Sequence, residues 1–218
     1  YKLLDVKDII IKPIYGTDGD GILVVSEMEQ LKMYDFPLGE VCVEEFLNLD
    51  KAPDGLILSP ALHYNEGVLL GKGLVDQIIV GYSCMGWRKS IASKIFQKSA
   101  NRYFQSIVSK MKPKGPGGLD FVSVGGNPVV CSLKAGRFRS GHFPKLFLQM
   151  YAHDKTYYCW EHRPTEDLDV QTFWKRLKNA GCNFVPGQSS SGVFPIQFLR
   201  GVAGMFIAIG RDEHACMA

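Results

Sequence analysis

Short apolar or alternating runs, broken every few residues by Gly, Pro or Asp, fill almost the whole length of this chain. Such punctuation leaves little room for long helices and makes the β-strand the default element. The runs lie at 9–14, 21–26, 41–47, 55–59, 68–70, 77–82, 121–124, 129–133, 146–152, 156–161, 192–198 and 202–209. Gly125, Gly126, Asn127 and Pro128 read as a hairpin turn between two of them, and His153, Asp154 and Lys155 as another. Many short strands at close spacing predict a sandwich or barrel rather than βαβ units.

One segment departs from this pattern. Between Trp87 and Met111 the apolar residues Ile91, Ile95, Phe96, Tyr103, Phe104, Ile107, Val108 and Met111 follow a helical stripe. The other face is basic, with Arg88, Lys89, Lys94, Lys98, Arg102 and Lys110, and no acidic residue occurs from Arg88 through Gly118. The Pro- and Gly-rich stretch 112–118 ends the helix. This face is either a solvated helix surface or a surface for RNA phosphates or an anionic membrane, with contacts then expected at Lys94, Lys98 and Arg102. A second helix is expected over Val170–Ala180, with Asp169 near its start and Gly181 as its stop.

Composition excludes several classes. The 218 residues are 46% hydrophobic and 22% charged, which is globular and not disordered. The length suits one large domain or two small packed ones. A net charge of +3 is too small to argue for nucleic acid by itself. No apolar run reaches membrane-spanning length, and the start has no signal-peptide core. The first residue is Tyr1 rather than Met, so a piece of a longer translation product or a processed chain is expected. The six cysteines, at 42, 84, 131, 159, 182 and 216, form no Cys-x-x-Cys pair and read as buried reduced thiols. The five histidines are scattered, so no metal site and no cofactor is expected.

The carboxy-terminal part carries the chemistry. Residues 186–194 read Pro-Gly-Gln-Ser-Ser-Ser-Gly-Val-Phe, and a second Gly-bounded strand covers 201–210. A Gly two residues before a Ser lets the backbone turn so that two amides point at one spot. This resembles the chymotrypsin-like serine proteases, with Gly187, Gln188 and Ser189 on the Gly-x-Ser part of their motif. Ser190 stands where that motif has Gly, and Gly192 where it has Pro. The look is closest to the polyprotein-processing proteases of positive-strand RNA viruses, of the picornavirus main-protease type. His63, in Leu56-Ile-Leu-Ser-Pro-Ala-Leu-His, resembles the family's histidine segment, and Asp120, in Leu-Asp-Phe-Val-Ser-Val, its acid strand. Asp76 is the reserve acid, and Ser191 the alternative nucleophile.

The resemblance implies an all-β fold with a helical insertion: two antiparallel six-stranded barrels, trypsin-like, with the site between them. The first barrel would span 1–125 with the basic insertion at about 87–112, and the second 126–218. It implies a serine endopeptidase that cuts its own viral polyprotein in the host cytoplasm, at membrane-associated replication sites in one version. Ser189 would attack, His63 act as base and Asp120 orient it, with Gly187, Gln188 and Ser189 as oxyanion hole. Phe184, Gly204 and Phe206 would line the specificity pocket. Since Phe184 and Phe206 replace polar handles, no Gln is required before the cut, unless His162 or His214 supplies the donor. The alternative is a protease-like barrel that binds RNA through 88–114. A cellular HtrA-like protease fits less well, because its unbroken Gly-Asn-Ser-Gly-Gly is absent.

Overall fold

A computed structural model describes residues 8–15, 19, 21–33, 39–71, 73–138, 141–151, 157–163, 169–199, 203–212 and 216. Strands β1 (Ile9–Pro13), β2 (Leu23–Val25) and β3 (Val41–Glu45), with helix α1 (Met28–Met33) between β2 and β3, make a small antiparallel sheet in the order β2-β1-β3. It buries Ile11 and Val25. The nine remaining strands form one larger sheet. They are β4 (Ser59–Asn65), β5 (Val68–Leu69), β6 (Val75–Val80), β7 (Ser83–Lys89), β8 (Pro116–Val124), β9 (Asn127–Ala135), β10 (Tyr157–Arg163), β11 (Gly192–Leu199) and β12 (Ala203–Gly210). Their order is β11-β12-β10-β7-β6-β4-β8-β9, with β5 attached to β4. Helices α2 (Lys94–Met111), α3 (His142–Tyr151) and α4 (Val170–Asn179) complete the chain.

Directly opposed residues in an antiparallel sheet point to the same face, so the register sorts the core. Ala61 faces Val75 and Asp120, and Gln77 faces Trp87. Ala61, His63, Val75, Gln77, Trp87 and Asp120 therefore share one face. Its apolar members pack with Phe147 of α3, Phe184, Ile207 and Ile209. Leu62, Tyr64, Leu119 and Phe121 take the other face, under Phe96, Ala100 and Phe104 of α2. Those three positions recur every four residues, which is the buried stripe of an amphipathic helix.

Local chemistry sets the helix ends. Ser93 Oγ accepts from Phe96 N at 3.1 Å, a side-chain cap for a donor without an intrahelical partner. Lys112 closes α2 in a left-handed conformation, φ 44°, just before Pro113. Asp169 caps α4 through Thr172 N at 2.8 Å.

Several expectations are corrected. No sheet closes, so the two six-stranded barrels are absent; the sheet path ends in β11 on one side and β9 on the other. A division at 125/126 falls in the β8–β9 turn, within one sheet. The helix starts at Lys94, not Trp87: residues 87–89 belong to β7, held between β6 and β10. Of the run 146–152, residues 146–151 lie in α3, not in a strand; Pro144 sits in its first turn, where a missing N–H costs no bond. The run at 55–59 contributes a single bridge at Ile57 before β4 begins at Ser59. Cys42, Cys131 and Cys182 are exposed rather than buried. The hairpin residues 153–155 and His214 lie outside the described residues, and of His162 only the backbone is described. Among the described residues no helix is long and apolar enough to cross a membrane.

Candidate functional site

The β4–β8 pair brings His63 and Asp120 to one face, because Asp120 opposes Ala61 and His63 opposes Gly118. His63 is 0% exposed and Asp120 4%. Imidazole and carboxylate are thus both carried on adjacent interior strands near the β9 edge of the sheet. His63 meets Trp87 edge-on at 5.1 Å between ring centroids, and His142 at 4.5 Å. His142 opens α3, is itself 0% exposed, and turns Nε2 to Tyr64 O at 3.4 Å. The preceding Gly141 makes this approach possible: a β-carbon there would stand 2.6 Å from His63 Nε2 and 2.9 Å from Trp87.

A second buried group comes from α3. Lys145 is 5% exposed, and its ammonium donates to Leu70 O at 3.0 Å and to Gly73 O. Burial pushes its pKa down to about 8. Leu70 N in turn donates to His63 O at 2.8 Å, so the loop after β5 is tied to both β4 and α3.

β8 and β9 carry a bulge beside Asp120. Asp120 pairs with Ser132 and Phe121 with Val130, leaving Cys131 as the extra residue. Bulges re-aim neighbouring side chains, and here Ser132 is set opposite Asp120 on the same face. Among the described residues no group of three His, Cys, Asp or Glu could hold a metal ion by itself.

In the small sheet, Lys12 of β1 makes an ion pair with Glu44 of β3. That pair holds the Glu44 carboxyl below the usual carboxylate range. Lys12 closes the apolar run Ile9–Ile11 and precedes the connection Gly16-Thr-Asp-Gly-Asp-Gly21. Gly19, φ 86°, packs on the β6–β7 turn; a β-carbon there would stand 2.6 Å from the Tyr82 carbonyl carbon.

The protease constellation does not assemble. Ser189 lies in the turn before β11, and β11 stands five strands from β4 in the sheet order. Its Oγ accepts from Val185 N at 3.1 Å, and the Gln188 and Ser189 amides both donate to Val185 O. Those amides close a turn and do not converge on an oxyanion, although Gly187 adopts the positive φ, 76°, expected of it. Phe184 is a core residue against Phe147, ring centroids 5.9 Å apart, and lines no specificity pocket. Gly204 lies within β12, and Phe206 stacks on Phe173 of α4 at 4.7 Å. The reserve acid Asp76 is buried on the α2 side, accepting from Ser90 Oγ and Ile91 N. Lys94, Lys98 and Arg102 share an exposed row on α2.

Sequence reasoning missed Lys12, Trp87, His142 and Lys145. The signal for Lys12 was a single cation in an apolar run just before a glycine-rich connection. For His142 it was the polar stretch Arg-Phe-Arg-Ser-Gly-His at 137–142 opening an apolar segment.

No family model and no curated protein matches the sequence. Solved structures do match the fold. The N5-carboxyaminoimidazole ribonucleotide synthetase from Thermus thermophilus is 14% identical with a TM-score of 0.63, over 95% of this chain and 58% of that one. The carboxyaminoimidazole ribonucleotide synthase from Aspergillus clavatus, complexed with ATP, is 12% identical with a TM-score of 0.66, over 96% and 59%. A putative ATP-grasp superfamily protein from Archaeoglobus fulgidus is 17% identical with a TM-score of 0.50, over 77% and 52%. The chain spans just over half the length of these neighbours. The chain therefore shares the fold of these neighbours, and the likeness to chymotrypsin-like viral proteases does not hold. With it go the serine endopeptidase, its polyprotein substrate and the protease-like barrel as an RNA- or membrane-binding module, since no sheet closes; the neighbour from Aspergillus clavatus is itself complexed with ATP.

Proposed function

We propose that this chain is the nucleotide-binding portion of an ATP-dependent ligase acting on a small substrate. The observation that supports this most is the fold match over 95% of the chain with a ribonucleotide synthetase, and over 96% with another that has ATP bound. The chain's own residues supply chemistry of the right kind. Lys12, on a strand leading into a glycine-rich connection, is the cation for the nucleotide phosphates, and its present partner Glu44 is displaced or shared on binding. A nucleoside triphosphate arrives with Mg²⁺, which is held through phosphate oxygens and one or two carboxylates rather than by an all-protein cage. The donor set fits that mode: Asp120 would hold the ion, with the Ser132 hydroxyl opposite. Bound there, Mg²⁺ would neutralise charge on the transferring phosphoryl group. The packing of His63, His142 and Trp87, with Lys145 tying the 70–73 loop, fixes β4 and α3 around that carboxylate.

Calorimetric titration with ATP and MgCl₂ tests the proposal. The chain is expected to bind with a Kd of about 1–100 µM, and Lys12→Ala to weaken binding at least about tenfold. Asp120→Asn is expected to keep nucleotide binding and lose its dependence on Mg²⁺. A folded chain that takes up no ATP at millimolar concentration would show the proposal to be wrong.

A further inference from the structure

Helix α2 and the start of β9 border a groove of about 430 Å³. α2 supplies Ser99, Arg102, Tyr103 and Ser106, and β9 supplies Asn127 and Pro128. Positions 99, 102, 103 and 106 lie three, four and seven apart, so they share one side of the helix. Pro128 opposes Ser123, two residues on from Phe121, which packs under α2. The groove therefore lies on the α2 face of the sheet, and His63 and Asp120 lie on the other.

Both walls are held in place by contacts of the chain itself. The Tyr103 ring leans on the buried Phe121, 6.5 Å between centroids. Asp50 pins the opposite wall: its carboxylate accepts from Ser123 Oγ at 2.6 Å, Gly126 N at 2.7 Å and Gly125 N at 3.1 Å. Asn127 Nδ2 donates to Gly125 O at 3.1 Å, and the buried Pro128 has its φ fixed by its own ring. A groove built in advance loses little freedom when a ligand enters.

The lining selects by chemistry. Arg102 is its one charged residue, and makes no ion pair with a described residue. No Asp or Glu occurs from Arg88 through Gly118, and Asp50 is committed to its three donors. The guanidinium fork matches two oxygens of a phosphate. The Ser99 and Ser106 hydroxyls both donate and accept, and the Asn127 amide oxygen accepts, which suits a ligand rich in hydroxyls. Tyr103, half exposed, adds an apolar ring surface. An inorganic anion would use Arg102 alone. We propose that this groove is a second ligand site and takes a phosphorylated sugar, with the phosphate on Arg102, the sugar ring against Tyr103 and its hydroxyls on Ser99, Ser106 and Asn127. The inference does not rest on the nucleotide reading and shares no residue with it.

Titration of the 218-residue chain with ribose 5-phosphate, followed by calorimetry and by ¹H–¹⁵N spectra, tests it. Binding is expected with a Kd of about 0.1–1 mM, and the amides of Ser99, Arg102, Tyr103, Ser106 and Asn127 should shift. Arg102→Ala should weaken binding at least about tenfold and Tyr103→Ala about fivefold, whereas Lys12→Ala should leave it unchanged. Inorganic phosphate should bind at least about tenfold more weakly than the sugar phosphate. No binding at about 10 mM overturns the proposal, as does equal affinity for inorganic phosphate, which marks a response to charge alone. Unchanged affinity in Arg102→Ala also overturns it, and so does loss of binding in Lys12→Ala, which places the ligand at the nucleotide site. Should Tyr103→Ala fail to fold, Arg102→Ala, at an exposed position, decides.

Discussion

Gly141 stands so close to His63 that it has no room for a side chain: a β-carbon there would lie 2.6 Å from Nε2. The start of α3 is thus seated directly on β4. Gly141→Ala is expected to force the two apart and cost about 1–3 kcal/mol of stability, the usual penalty of overpacking. His63→Ala makes room, so the double variant should lose less than the sum of the singles. Urea denaturation of the four proteins measures this; simple additivity would show that the contact does not limit the packing.

On the opposite face, Tyr64 Oη is buried with no hydrogen-bond partner among the described residues. Removing an unpaired hydroxyl removes a desolvation cost, so Tyr64→Phe should be neutral or stabilising by up to about 1 kcal/mol. Gly117 is the reason the ring fits. A β-carbon there would meet Tyr64 Oη, and would stand 2.6 Å from Lys134 O, so Gly117→Ala should destabilise. Thermal unfolding of both variants checks the pair of signs.

The acid side of the stability curve contains opposing carboxylates. Asp50 accepts from Ser123 Oγ, Gly126 N and Gly125 N, and these bonds hold it below the usual range. A depressed folded value means that the stabilisation is present above the unfolded value, about 3.9, and is lost as pH falls through the folded one. Asp76 runs the other way, since burial raises it despite its bonds to Ser90 and Ile91. Its folded form holds the proton more tightly, so it subtracts stability as pH rises above about 4. Asp50→Asn should flatten the gain in stability between about pH 3 and pH 5, and Asp76→Asn should steepen it. Urea midpoints across that range distinguish the two; the same slope in both variants would contradict the assignment.

Lys145 governs the alkaline side. Burial brings its folded value down to about 8, below the unfolded value of about 10.4. Between those values the unfolded chain holds the extra proton, so stability rises with pH across the window. Lys145→Met should lose the carbonyl bonds to Leu70 and Gly73 and also abolish that rise. Comparing unfolding free energies near pH 7.5 and near pH 9.5 tests the second effect, which a merely structural role would leave in place.

Local rules reached a good part of this molecule. Glycine, proline and alternation placed most strands of both sheets, and Gly125 and Gly126 the β8–β9 turn. The apolar stripe through Phe96, Phe104 and Met111 and the Asp169 start signal placed most of α2 and all of α4, because periodicity and capping act over a few residues. What those rules could not reach was pairing. Trp87 fits a helical stripe as well as it fits β7, and only the strands beside it, β6 and β10, decide. Leu146 and Phe147 read as strand until α3 finds a sheet face to cover. The residues around Ser189 allow an oxyanion turn by composition, yet the Val185 carbonyl takes their amides. His63 and Asp120 were singled out from the chain, but their company was not: Trp87, His142, Gly141 and Ser132 arrive from other strands and from α3. Sequence determined which segments extend or coil, since that follows from neighbours along the chain. Tertiary structure alone decided which faces meet and which side chains share a site, since that depends on contacts between residues tens of positions apart.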